Sequence, residues 1–128
     1  MAFIKFKPIA SYFTFYEKAN IKYVKDITSF LMENENVMYA YKSKRDLVCF
    51  TDKRILLVDK KGIRGFRKSI YGILYSSISS YVLSVKNFDS KLEIVMDSSH
   101  KVMINFSKPI PLEEVYDIYK FLANKVTK

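Results

Sequence analysis

This chain of 128 residues has one cysteine, one histidine, three glycines, three prolines and no tryptophan. With a single thiol no internal disulfide can form, so a disulfide-stapled secreted scaffold is excluded. Cys49 sits inside an apolar run and is expected as a reduced thiol packed like a small hydrophobe, as in a cytoplasmic protein. His100 has no second histidine, cysteine or close carboxylate pair beside it, so neither metal ligation nor acid-base work is expected of it. The few glycines matter too. Gly62-Ile63-Arg64-Gly65 lacks the further glycines and the helix start that a phosphate-cradling loop needs, and reads as turn or bulge. No apolar run approaches the ~20 residues that span a bilayer. The stretch from Met1 to Tyr16 is interrupted by Lys5, Lys7 and Pro8 and has no small-residue cleavage site, so no export signal is read there.

What the chain has in quantity is aromatic and basic side chains. Hydrophobic residues make up 49% and aromatics 16%, more than a disordered chain carries, while the length suits one core. Lysine and arginine number 22 against 13 acids, a net charge of +9. Ten of those bases and only three acids lie between Lys42 and Lys68, so +7 of the +9 is concentrated there. A field of that kind attracts anionic partners and argues against mimicry of DNA.

The segment around which the fold is organised runs from Arg45 to Gly62. Two apolar runs, Leu47-Val48-Cys49-Phe50 and Ile55-Leu56-Leu57-Val58, flank Thr51-Asp52-Lys53, which predicts two hairpins sharing a central strand. Runs that are apolar on both faces belong to strands covered on both sides, so something must close over this one. Upstream, Ile21, Val24, Ile27, Phe30 and Leu31 recur at helical spacing and predict a helix over Ile21 to Glu33, ended by Asn34-Glu35-Asn36. A first strand is expected over Val37 to Tyr41, others over Phe66 to Tyr75 and within Ser76 to Val85. A hairpin follows, with Leu92, Ile94 and Met96 facing Val102, Ile104 and Phe106. Pro109 and Pro111 stop the sheet, and Pro111 suits the first position of a closing helix that reaches about Lys125. Its expected buried stripe is Leu112, Val115, Tyr119, Leu122 and Val126.

The residues Arg45-Asp46 to Phe50-Thr51-Asp52-Lys53-Arg54 and Val58-Asp59-Lys60-Lys61-Gly62-Ile63-Arg64-Gly65 resemble the signature of bacterial pleckstrin-homology-like domains. The resemblance extends to Tyr75-Ser76-Ser77-Ile78, Asp89-Ser90-Lys91-Leu92 and the C-terminal stretch from Phe106-Ser107-Lys108 to Leu122-Ala123, covering most of the chain from Glu35 onward. It implies an α+β, mainly β fold: a seven-stranded bent antiparallel sheet or partly open barrel with a C-terminal capping helix. It also implies assembly into rings through sheet surfaces. Two departures stand out: Leu74 takes the place of a proline usually found before the tyrosine, and the Val85 to Asp89 connection is short. With the predicted N-terminal helix, the expected organisation is a helical extension over residues 1–36 packed on a PH-like domain over 37–128.

The function expected is a non-enzymatic interaction module, binding another protein or its own copies through sheet surface, with no cofactor, metal or small-molecule substrate. The alternative is an anionic partner, a phospholipid headgroup or nucleic acid, held by Lys42, Lys44, Arg45, Lys53, Arg54, Arg64, Arg67 and Lys68. For nucleic acid, Tyr39, Tyr41, Phe66, Tyr71 and Tyr75 would supply stacking rings. The lysine-, isoleucine- and tyrosine-rich composition also suits a phage or mobile-element protein that inhibits a host or defence protein.

Overall fold

A computed structural model describes residues 10–15, 17–20, 25–61, 67–87 and 89–127. Its strands are β1 (Ala10–Phe15), β2 (Glu17–Lys18), β3 (Val37–Lys42), β4 (Leu47–Thr51), β5 (Arg54–Lys61), β6 (Arg67–Leu74), β7 (Ile78–Val85), β8 (Ser90–Met96) and β9 (Lys101–Phe106). A helical turn, α1 (Lys25–Thr28), precedes β3, and α2 (Leu112–Val126) closes the described chain. One sheet has the order β1-β9-β8-β7 and the other β2-β3-β4-β5-β6. The seven strands from β3 to β9 and the helix after them are those the sequence pattern predicts. The two sheets do not close into a barrel, because β6 passes to β7 through a 3-10 turn (Tyr75–Ser77) and does not pair with it.

The main core lies between the sheets and under α2, where Tyr41, Phe50, Ile55, Ile94, Ile104, Phe106, Ile118 and Leu122 are all fully or almost fully buried. A second, smaller cluster lies on the opposite face of β3–β5, where Ile27 and Leu31 cover Ala40, Leu47, Cys49, Leu56 and Val58. This explains the doubly apolar runs: all five residues of β4 are buried, and Ile55 to Val58 are at most 1% exposed. The expected cover is therefore present, but its form differs from the helix predicted over Ile21 to Glu33. Residues 21–24 lie outside the described residues, and the turn at Lys25–Thr28 tightens at once, Phe30 and Leu31 both donating to the Ile27 carbonyl. Asn34 adopts a left-handed φ of 64°, which ends any helix and turns the chain into β3.

Residues 10–18 contribute strands to both sheets. β1 pairs in parallel with β9, Phe13 beside Ile104 and Phe15 beside Phe106, and β2 pairs with β3. At the other end Pro111 occupies the cap position, one residue before the helix, and its carbonyl accepts from Glu114 and Val115. The buried stripe of α2 is Val115, Ile118 and Leu122, while Leu112, expected inside, is 41% exposed. The β8–β9 hairpin has the predicted register, with Leu92 opposite Ile104 and Ile94 opposite Val102. Among the described residues no helix is long and apolar enough to cross a membrane.

Candidate binding surfaces

The β3–β4 turn is built by Ser43. Its Oγ accepts from Asp46 N at 3.0 Å and its own N donates to the Asp46 carbonyl at 2.9 Å, leaving Lys44 and Arg45 exposed at the tip. Asp46 Oδ1 accepts from Lys60 N at 3.2 Å, which ties this turn to the end of β5. Burial raises the Asp46 carboxyl above its ordinary range, against the opposing pull of the Lys60 backbone bond. The last rungs of the β5–β6 ladder set Lys60 opposite Lys68 and Lys61 opposite Arg67. The register thus brings four basic residues to this end of the sheet, a source of positive potential. Lys42 pairs with Glu17 at 3.5 Å, and the Lys68 ammonium lies 5.9 Å from the centroid of the Phe30 ring.

Of the predicted anion-binding residues, Lys42, Lys44, Arg45, Arg67 and Lys68 thus come to one end of the five-stranded sheet. Arg64 lies outside the described residues. Lys53 and Arg54 lie at the opposite end, in the β4–β5 turn and the first position of β5, about 20 Å away along the strand.

Arg54 is engaged internally. Its Nε lies 3.0 Å from Glu35 Oε2 and its Nη2 3.1 Å from Glu35 Oε1, a two-pronged ion pair, while Nη2 also donates to the Phe30 carbonyl at 2.7 Å. Glu35 Oε2 also accepts from Thr51 Oγ1 at 2.6 Å, and Oε1 from Met32 N at 2.9 Å. Burial works to raise this carboxyl, but bonds from Arg54, Thr51 and Met32, with the Arg54 charge, outweigh it and hold the group below the usual carboxylate range. The network binds the covering segment to the β4–β5 turn.

The second surface is the open corner where β6 gives way to β7. Inside it, Tyr75 donates to the Thr51 carbonyl at 2.6 Å, and its ring meets Phe121 of α2 edge-on at 6.0 Å. Tyr81 of β7 meets Tyr119 in the same way at 5.4 Å. The helix therefore seals the corner from within. Outside, β6 and β7 are edge strands of their sheets, and Tyr71, Leu74, Val82 and Val85 are each 42–57% exposed.

Other candidates have little chemistry to offer. Among the described residues no three His, Cys, Asp or Glu side chains gather as a metal site. Burial pushes the Cys49 thiol up to about 12, with Glu35 adding to the shift, so the nucleophilic thiolate is suppressed. His100 lies in the β8–β9 turn. Of the rings considered for base stacking, Tyr41 and Tyr75 are buried, Tyr39 packs against the core, Phe66 lies outside the described residues, and Tyr71 alone is exposed.

Comparison with known proteins agrees with this architecture. A family model described as bacterial PH domain matches residues 10–126. The Bacillus subtilis (strain 168) protein YjqA is 38% identical over 103 residues, covering 77% of this chain and 80% of YjqA. YozO of the same organism is 28% identical over 93 residues, covering 71% and 81%. Among solved structures, a DUF1696 family protein with a pleckstrin-homology domain from Shewanella loihica PV-4 superposes with a TM-score of 0.72 at 23% identity, covering 86% of this chain and 96% of that one. A pleckstrin homology domain from Shewanella amazonensis SB2B gives 0.62 at 27% identity, covering 80% and 84%. With all of its described strands and its closing helix inside the matched span, the chain belongs to the bacterial PH domain family.

Proposed function

We propose that this domain is a non-enzymatic interaction module that binds a protein partner, another chain or its own copies, at the open corner between β6 and β7. The observation that carries this reading is a pair of eight-residue edge strands with exposed Tyr71, Leu74, Val82 and Val85, held rigid from within by α2. An edge strand presents backbone donors and acceptors that another strand can satisfy, and adjacent apolar side chains add specificity. The test is mass in solution by size-exclusion chromatography with light scattering, followed by capture from a bacterial lysate. A mass above that of the single chain, or a captured partner lost on Leu74→Lys or Val82→Lys, supports the reading. A chain-mass species that retains nothing overturns it.

A second reading is favoured by the gathering of Lys42, Lys44, Arg45, Lys60 and Lys68 at one end of the sheet. That rim suits a membrane surface rich in anionic headgroups. Flotation with phosphatidylserine vesicles that weakens as salt rises, and is lost in Lys44→Glu/Arg45→Glu, supports it. Equal binding to neutral and anionic vesicles, or none, overturns it.

A further inference from the structure

The outer face of the four-stranded sheet carries a cleft beside the β7–β8 turn. Its volume is about 270 Å³, and it is lined by Ser84, Lys86, Asp89, Lys91 and Asn105. The ladder explains how these five residues come together. Ser84 of β7 faces Lys91 of β8, and Lys91 faces Asn105 of β9, so the three lie in one row across adjacent strands. Residues directly opposite in an antiparallel sheet share a face. Their sequence neighbours Leu83, Leu92, Ile104 and Phe106 pack in the core, so the row itself turns outward. Lys86 follows Ser84 by two residues and Asp89 precedes Lys91 by two, and Lys86 N donates to the Asp89 carbonyl at 2.8 Å, closing the hairpin beneath the cleft.

The chemistry of the lining is mostly that of donors. Lys86 and Lys91 bring two ammonium groups, Asn105 an amide NH2 and Ser84 a hydroxyl, while Asp89 is the one carboxylate. Lys18, Lys42 and Arg54 are each paired with a glutamate. Among the described residues, by contrast, the side chains of Lys86, Asp89, Lys91 and Asn105 have no hydrogen-bond or ion-pair partner. Two cations and an amide on one small cleft suit the several oxygens of a phosphate, with which charge-assisted hydrogen bonds are strong. The volume lies just below the roughly 300 Å³ at which sites for drug-sized ligands begin, so there is room for a small organic group beside the phosphate. Asp89 can then accept from a ligand hydroxyl.

We infer that this cleft binds a small phosphate monoester carrying free hydroxyl groups, of the size of a pentose phosphate. Lys86, Lys91 and Asn105 hold the phosphate, and Asp89 selects the hydroxylated portion. The site stands apart from the interaction-module reading: none of its lining residues is among the exposed apolar side chains of the open corner or the cations of the basic rim.

The test follows the backbone amide resonances of the full chain during titration with ribose 5-phosphate, with ribose and with inorganic phosphate. Ribose 5-phosphate is expected to give saturable shifts centred on Ser84, Lys86, Lys91 and Asn105, with a Kd on the order of 1 mM, and the other two probes to bind more weakly. Lys86→Ala/Lys91→Ala should weaken binding by about tenfold or more. Lys44→Ala/Arg45→Ala removes the same two charges from the other sheet and should change it by less than about twofold. The spectrum of each variant without ligand shows that it is folded. Asp89→Ala should bring ribose 5-phosphate and inorganic phosphate to similar affinities, because it removes the acceptor that tells them apart. No saturation below about 20 mM, equal binding of inorganic phosphate and ribose 5-phosphate by the wild type, or equal weakening by the two double variants overturns the inference and leaves the open-corner reading standing.

Discussion

Replacing Glu35 with glutamine changes one atom in the carboxylate that fastens the covering segment to the β4–β5 turn. Both oxygens accept: Oε2 from Thr51 Oγ1 and Arg54 Nε, Oε1 from Arg54 Nη2 and Met32 N. A glutamine amide keeps one acceptor but turns its NH2 towards two donors, and leaves the Arg54 charge without its counterion. The Glu35 side chain is wholly buried and that of Arg54 is 20% exposed, so solvent restores little. Breaking a buried pair costs about 3–5 kcal/mol; the partial exposure of Arg54 and the retained acceptor bring the expected loss for Glu35→Gln to about 2–4 kcal/mol. Urea unfolding at pH 7 reads it directly, as does a fall in Tm of roughly 10 °C for a chain of this size. The pH dependence has a definite sign. Because the folded carboxyl titrates below its unfolded value, its contribution is fully present above the unfolded pKa of about 4.3 and is lost as pH falls through the folded pKa. The difference between wild type and variant should therefore shrink as pH falls below the unfolded value. A loss under about 0.5 kcal/mol at pH 7, or a difference constant down to pH 2, would refute the reasoning.

Three further outcomes follow from the same geometry. Tyr41→Phe removes the 2.6 Å bond to Glu114 Oε1, a carboxylate that keeps Lys18 at 3.2 Å, and should cost about 1–2 kcal/mol in urea unfolding without changing the fold. Cys49, with its thiol pushed up to about 12 under the cover of Ile27 and Leu31, should react with a thiol reagent at pH 8 only as fast as that cover opens. The rate should rise in Glu35→Gln, and equal rates in both proteins would show that the Glu35–Arg54 pair does not hold the cover. Ile118→Ala, which empties a fully buried position under α2, should cost about 2–5 kcal/mol, whereas Leu112→Ala on the exposed side should stay within about 0.5 kcal/mol.

The parts of the fold that local pattern fixes were legible. Alternation in Leu92 to Met96 and Val102 to Phe106 set the β8–β9 register, and the doubly apolar Ile55 to Val58 announced a cover on each face. What escaped depends on partners far along the chain. β1 carries its own alternation, Phe13 and Phe15 inside against Tyr12 and Thr14 outside, but an aromatic on the exposed face blurred the contrast, and its pairing with β9 leaves no local trace. Glu35 read as a turn residue because its partners, Thr51 and Arg54, follow 16 and 19 positions later. The same distance effect put Arg54 among the candidate anion-binding residues, although its guanidinium is occupied by Glu35 and the Phe30 carbonyl. In α2, a heptad-like stripe through Leu112 and Tyr119 passed over Ile118, the fully buried residue beside them.

The parallel pairing of β1 with β9 has a consequence for how the molecule is made. As the polypeptide leaves the ribosome, its first described strand has no place to dock until β9, whose Lys101 pairs with Ala10, has also emerged. Until then Phe13 and Phe15 stay solvated or in chaperone hands, and the β3–β5 meander can assemble ahead of them. Closure of the domain is thus a late, long-range event that awaits synthesis of β9.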